Sequence, residues 1–254
     1  MTIPDVPSEL VAVITGASRG LGAGMAATFA GEGFRLGLCA RHQPTAPQGA
    51  EAWTASIDVS HAEALDRFAL GVVERFGRID LWVNNAGVLE PIGPLADADP
   101  GAVRRHVDIN VLGVANGSAS FARHVRTRPG GGVLVNISSG AATTPYEGWA
   151  PYCASKAAVE MLTEVVAREE RGHGLRAYAL APGVVDTPMQ ALVRSTSVKD
   201  FPAGDRFRRL HRQGGLNSPF WVARFILDRF VHGTPAPEEG GVVRFRVPDQ
   251  RSPE

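Results

Sequence analysis

Seven short apolar runs recur along the chain: VAVIT (11–15), FRLGLCA (34–40), AWTASID (52–58), IDLWVNNAG (79–87), GVLVNISS (132–139), LRAYALAPG (175–183) and GVVRFRV (241–247). Between them, apolar residues at helical spacing predict helices over 22–32, 61–76, 100–127, 155–171 and 219–231. Strand and helix alternate, which predicts parallel pairing, because a parallel connection must cross a face of the sheet. The runs are nearly continuous in apolar residues rather than alternating, as expected of strands covered on both faces. The predicted class is therefore α/β, as a single domain over 1–254. One stretch breaks the rhythm: 189–218 follows PGVVDTP with no clear strand. A connection of that length in such an architecture is commonly a lid over substrate.

Composition removes several functions from consideration. Lys plus Arg and Asp plus Glu balance at 26 each, so no net field gathers nucleic acid or an anionic membrane. The basic stretch DRFRRLHRQ, with Arg206, Arg208, Arg209 and Arg212, is short and reads as a solvated lid face. The only cysteines, Cys39 and Cys153, form no disulfide framework and suit a reducing compartment. MTIPDVPSEL has no basic segment followed by an apolar one, and no apolar run approaches the ~20 residues that span a bilayer. A cytoplasmic chain acting on a small molecule is expected, and the scattered histidines predict no metal site.

Candidate chemistry starts at VAVITGASRGLG, where Gly16, Gly20 and Gly22 stand between a strand and a helix. Missing side chains there let backbone amides and the helix N-terminus approach a pyrophosphate. The end of the second strand selects the cofactor, since an acid there binds the 2′-hydroxyl of NAD and repels the phosphate of NADP. No Asp or Glu occurs between Gly33 and Ala50, whereas Arg41 and Arg19 are in reach of the adenosine ribose. Guanidinium groups recognise phosphate strongly, so NADP(H) is expected. Tyr152 and Lys156 in YCASK lie four apart on one helical face, where an ammonium favours a phenolate. Bringing a tyrosine from near 10 to near 7 takes about 4 kcal/mol, which a desolvated lysine beside an oxidised nicotinamide could supply. Ser139, thirteen residues before Tyr152, and the NNAG turn both sit at strand ends on the carboxyl edge where open α/β sheets bind ligands. Asn110 is the polar residue of an otherwise apolar helical segment.

TGASRGLG, NNAG, Asn110 in NVLG, Ser139, YCASK and PGVVDT resemble, in order and spacing, the short-chain dehydrogenase/reductase family over nearly the whole chain. The resemblance implies one doubly wound Rossmann-type domain with a parallel seven-stranded sheet and an active tetrad of Asn110, Ser139, Tyr152 and Lys156. It implies that Tyr152 donates the proton while Ser139 bonds the carbonyl oxygen. Lys156 would hold the ribose and lower the tyrosine pKa, and Asn110 would position a relay water. It further implies cofactor contacts from Gly16, Ser18, Arg19, Gly20, Leu21, Arg41, Asp58, Val59, Asn85, Ala86, Gly87, Pro182, Gly183, Val185 and Thr187. A homodimer or homotetramer follows by the same analogy, through the helix after Tyr152 with its stripe Ala158, Met161, Leu162, Val165 and Val166.

SSGAATTPYEGWAPYCASK and ALAPGVVDTPMQ resemble more closely the sepiapterin reductase and bacterial benzil reductase branch, whose members reduce bulky, often vicinal dicarbonyls with NADPH. Tyr146 and Trp149 are candidate walls for a flat substrate, opposite Met189 and Gln190. Loop aromatics are equally ordinary packing anchors. Arg244 stands where that branch's pterin reductases place an acid, and a cation there argues against a pterin and for an aromatic diketone. Two alternatives stay open: an NADP(H)-binding redox sensor without useful turnover, and a steroid or sugar alcohol dehydrogenase.

Overall fold

The computed structural model describes residues 10–233 and 243–251. Seven strands, β1 (Val11–Thr15), β2 (Arg35–Ala40), β3 (Ala52–Ser56), β4 (Leu81–Asn84), β5 (Gly132–Ile137), β6 (Leu175–Ala181) and β7 (Arg244–Arg246), form one sheet in the order β3-β2-β1-β4-β5-β6-β7. Every pairing is parallel. The first two residues of the predicted last strand lie outside the described residues, as do the first nine residues of the N-terminal stretch.

Period-two alternation along each strand divides the apolar residues between two cores. From β1, Ala12 and Ile14 join one core, and Val11 and Val13 the other; β5 likewise sends Val133 and Val135 one way and Leu134 the other. The first core is closed by Met25 and Phe29 of α1 (Gly20–Gly31) and by Val222 and Ile226 of α8 (Pro219–Ile226). The second is closed by Leu65, Phe68 and Val72 of α2 (Ala62–Phe76) and by Phe121 and Val125 of α4 (Gly113–Arg126). Burying each such side chain contributes roughly 1.5–3 kcal/mol. The order reverses between β1 and β4, so connections leave their carboxyl ends in opposite directions and open a crevice.

The helix expected over 100–127 is interrupted. Asp99 caps α3 (Pro100–Val107), its carboxylate accepting from the amides of Gly101 at 3.2 Å and Ala102 at 2.9 Å. A π-helical turn, Asp108–Leu112, then precedes α4 and carries the fully buried Asn110. The predicted boundary at 155 is also displaced: α5 (Ala150–Glu169) begins with Pro151 in its first turn and places Tyr152 there too. On α5, Val159 and Thr163 are buried, whereas Met161 and Val165 of the apolar stripe are exposed. The segment 189–218 is built of two short helices, α6 (Pro188–Ser195) and α7 (Gly204–Arg212), and a single bridge from Asn217 to Val185. Among the described residues, no helix is long and apolar enough to cross a membrane.

Candidate active site

The glycine turn after β1 packs directly on the turn after β4. Gly16 has φ +67°, and a Cβ there would stand 2.7 Å from the Ala86 Cα. A Cβ on Gly22 would stand 2.4 Å from the Gly16 carbonyl oxygen. The Asn85 amide side chain donates to the carbonyls of Thr15 (2.9 Å) and Gly16 (3.2 Å), while the backbone N–H groups of Asn85 and Ala86 both donate to Thr15 Oγ1 at 3.0 Å. The first turn of α1 carries no side-chain cap and no acid, which leaves its positive end to a ligand.

These turns open on one cleft of about 880 Å³ along the carboxyl ends of the strands. Of the residues expected at the site, all line it except Gly22, Asn110 and Arg244. Arg19 and Arg41 are exposed on its rim. Burial pushes the Asp58 carboxyl up, but hydrogen bonds from the Ser60 amide (3.0 Å) and hydroxyl (2.8 Å), with His61 and Arg41 nearby, bring it below the usual range. Asp58 is thus an anion already engaged by Ser60. Thr187 caps α6, accepting from the Gln190 amide at 3.3 Å, and so sets Met189 and Gln190 against the cleft.

Ser139 ends the β5 segment and bonds the Tyr152 hydroxyl; its Oγ also accepts from the Ala141 amide at 3.1 Å. Lys156 is buried, with Nζ 5.6 Å from the Tyr152 ring centre and donating to the Ile137 carbonyl at 2.8 Å. Burial lowers the lysine to about 8. Burial raises the Tyr152 pKa, outweighing the Ser139 hydrogen bond, so in the free protein the phenol is held protonated. Lys156 alone does not make a phenolate, because burial of the Tyr152 hydroxyl outweighs what favours its anion.

Asn110 stands outside the cleft. Its Oδ1 accepts from the Val88 amide and its Nδ2 donates to the Val88 carbonyl, both at 2.8 Å. The second Nδ2 hydrogen faces His106 Nε2 at 3.0 Å. The side chain is therefore committed to protein partners, and it acts by holding the strand exit beside the π turn.

The other end of the cleft is aromatic. Trp149 stacks on Phe201 at 4.2 Å and 9°, meets Tyr152 edge-on at 5.4 Å, and closes with Tyr146 and Phe207 into one cluster. Trp149 and Tyr146 are thus both packing anchors and cleft walls. Among the described residues, Trp149 Nε1 and Gln190 Oε1 are buried without hydrogen-bond partners. Sequence reading missed Phe201 and Phe207, which lie more than fifty residues from Trp149, and His106, whose only signal was its place one helical turn before Asn110.

The basic stretch is mostly the solvated face expected, with Arg206, Arg209 and Arg212 exposed and Arg208 half-buried. Arg206 lines the cleft and donates to the Tyr146 hydroxyl at 3.2 Å, while Arg208 bonds Asp205 and the carbonyls of Arg194 and Thr196. Arg244 points elsewhere than expected. It pairs with Glu160 (3.2 Å) and Glu164 (2.9 Å) on α5, and the β7 residue at the cleft is Arg246. The objection to a pterin therefore passes from Arg244 to Arg246, a cation of the same strand at the cleft.

The family profile described as short chain dehydrogenase matches residues 10–197. A benzil reductase ((S)-benzoin forming) of Bacillus subtilis is 34% identical over 228 residues, covering 87% of this chain and 93% of that protein. The KRED1-Pglu crystal structure superimposes with a TM-score of 0.81 at 31% identity, covering 93% of this chain and 99% of that one. A 3-ketoacyl-(acyl-carrier-protein) reductase from Brucella melitensis, solved in complex with NADH, has a TM-score of 0.77 at 26% identity over 94% of this chain and 96% of its own. With the parallel sheet, the glycine turn and the Ser139–Tyr152–Lys156 group already in place, these likenesses make the chain a member of the short chain dehydrogenase family, an oxidoreductase that works with a nicotinamide cofactor.

Proposed function

We propose that the chain is an NADPH-dependent carbonyl reductase that converts a bulky ketone or vicinal dicarbonyl of the benzil kind into the alcohol, with Tyr152 as general acid. The observation that carries this reading is the junction of two surfaces: a buried, protonated Tyr152 bonded to Ser139, and an aromatic wall whose Trp149 meets that same ring at 5.4 Å. The whole chain is read as one NADP(H)-binding domain with 189–218 as its lid, in a cytoplasmic homodimer or homotetramer that buries Met161 and Val165.

The glycine turn fits a dinucleotide: a Cβ at Gly16 or Gly22 would strike Ala86 or the Gly16 carbonyl, so only glycines let the turn pack this tightly, and the uncapped N-terminus of α1 stands beside the cleft. Gly16, Ser18, Gly20 and Leu21 would hold the phosphates, and Arg19 and Arg41 the 2′-phosphate. Asp58 and Val59 would flank the adenine, and Asn85, Ala86 and Gly87 the adjoining ribose, with Lys156 on the nicotinamide ribose. Pro182, Gly183, Val185 and Thr187 would border the carboxamide. When bound, the cofactor supplies the hydride and, once oxidised, a positive charge beside Tyr152.

Within this frame, Ser139 and Tyr152 both donate to the substrate carbonyl oxygen and fix its direction. Tyr152 then gives up its proton as negative charge develops there. The phenol is protonated in the resting protein, which suits reduction. Lys156 stays cationic at neutral pH and stabilises the phenolate left behind. The aromatic wall excludes water and takes the flat faces of the substrate. The test is to follow NADPH absorbance with the purified chain against benzil and a panel of ketones. Turnover fastest with aromatic diketones is expected. Tight NADPH binding with no oxidation by any carbonyl would overturn the reading in favour of the redox sensor.

A further inference from the structure

His106 is fully buried on α3 and touches three separate parts of the site without lining the cleft. Its Nδ1 lies 2.8 Å from the Glu90 carbonyl, in the connection that follows the NNAG turn. A carbonyl only accepts, so Nδ1 is assigned the hydrogen and Nε2 is left as an acceptor. Nε2 lies 3.0 Å from the Asn110 amide nitrogen in the π turn and 3.1 Å from Ser155 Oγ on α5. The Ser155 hydroxyl has a single hydrogen, which it gives either to Nε2 or to the Tyr152 carbonyl at 2.8 Å, and the His106 ring meets the Tyr152 ring edge-on at 6.2 Å.

We propose that His106, as the neutral Nδ1–H tautomer, is a positioning residue that locks the Asn110 turn and the first turn of α5 onto the strand exit, and so aims Tyr152. Asn110 cannot play this part alone. Its Oδ1 and one amide hydrogen tie it to Val88, and the remaining hydrogen reaches α5 chiefly through His106 at 3.0 Å, with Ser155 Oγ itself at the long distance of 3.5 Å. The Asn110 arm of the lock opens in acid: a proton on Nε2 would set an N–H against the Asn110 N–H and abolish that bond, turning the ring nitrogen to Ser155 Oγ instead. The groups facing the ring are the Glu90 carbonyl and carboxylate from the strand exit, Asn110 from the π turn, and Ser155, Tyr152 and Lys156 from α5. Burial and the Lys156 ammonium lower the ring's pKa, against the opposing pull of the Glu90 carbonyl and charge. Neutral pH therefore keeps the lock closed.

The proposal rests on the carbonyl-reductase reading for its kinetic consequence but not for its geometry, and the test has one arm for each. Nitrogen chemical shifts of histidine-labelled protein should give a neutral Nδ1–H ring for His106 at pH 7; an Nε2–H tautomer or a cation there would overturn the proposal. In the kinetic arm, His106→Leu should lower kcat roughly 10- to 100-fold, the scale of ångström misplacement of a reacting group. NADPH Kd should stay within about twofold. His106→Gln, whose Oε1 can accept from Asn110, should restore kcat to within about threefold and lose the acid limb of the wild-type pH profile. Equal loss in both variants with the acid limb intact overturns the proposal, as does no loss in either. Should His106→Leu fail to fold, the acid limb of His106→Gln decides alone. Absence of wild-type turnover on every carbonyl would sink the proposed function, and the nitrogen shifts would then decide the lock by themselves.

Discussion

The two ends of the cleft are built by different forces. Around the strand exits, hydrogen bonds at 2.8–3.2 Å join Asn85 to the glycine turn, Asn110 to Val88 and Lys156 to Ile137. At the end formed with the 189–218 segment, positions come from stacked rings: Trp149 on Phe201, with Tyr146 and Phe207 beside them. Directional bonds tolerate little displacement, which suits the end where a proton moves. Aromatic packing adapts to shape, which suits the end where substrates differ. The contrast teaches that chemistry and specificity in this chain are separable by mutation.

The sharpest test of that separation is Tyr152→Phe, which should lower kcat about 10²–10⁴-fold with NADPH affinity almost unchanged, measured by steady-state kinetics and fluorescence titration. Retention of more than a few per cent of turnover would place the proton elsewhere. Next in size, Arg41→Asp removes a phosphate-binding cation and adds an anion. It should move the ratio of NADPH to NADH Michaelis constants about 10- to 100-fold toward NADH, since hydrogen bonds to charged groups are worth about 1.5–3 kcal/mol. An unmoved ratio would detach cofactor selection from this residue. On the aromatic side, Phe207→Ala should raise KM for benzil about tenfold and leave a small ketone within about twofold, as loss of stacking at one end only would require. Equal losses on both substrates would mean the ring supports the fold and not the specificity.

The buried lysine offers a test on stability. Its pKa falls from 10.5 to about 8 on folding, so between these values the unfolded chain binds a proton that the folded chain does not. Stability therefore rises with pH across that window, and below about 8 the buried charge costs about 3 kcal/mol. Lys156→Met should accordingly be the more stable at pH 7 without cofactor, with the difference in thermal midpoint shrinking as pH rises from 8 toward 10.5. A difference independent of pH would place the lysine's ordinary value in the folded protein.

Much of the hydrogen-bonded end was legible in the chain because its signals are local. Gly16, NNAG and the Tyr152–Lys156 pair lie within single turns, and their spacing alone brings them to one edge of a parallel sheet. The α/β alternation was legible for the same reason, since hydrophobic periodicity is a property of neighbours. The break of the 100–127 helix was not: a π turn at Asn110 is stabilised by Val88, which is distant in sequence. The aromatic end was half legible. Trp149 and Tyr146 sit beside Tyr152, but Phe201 and Phe207 arrive from the 189–218 segment, and nothing in either segment alone specifies their stacking. Arg244 followed the same rule, since only the register of β7 against β6 turns it to Glu160 and Glu164 and brings Arg246 to the cleft. The tyrosine's charge state depended most on the fold. Proximity of an ammonium, read from a four-residue spacing, pointed to a phenolate. Burial, which only the packed structure sets, raises the pKa and keeps the proton on Tyr152 in the free protein. Local spacing thus names the reacting groups, whereas desolvation and long-range packing decide their protonation, their aim and the shape of the substrate they meet.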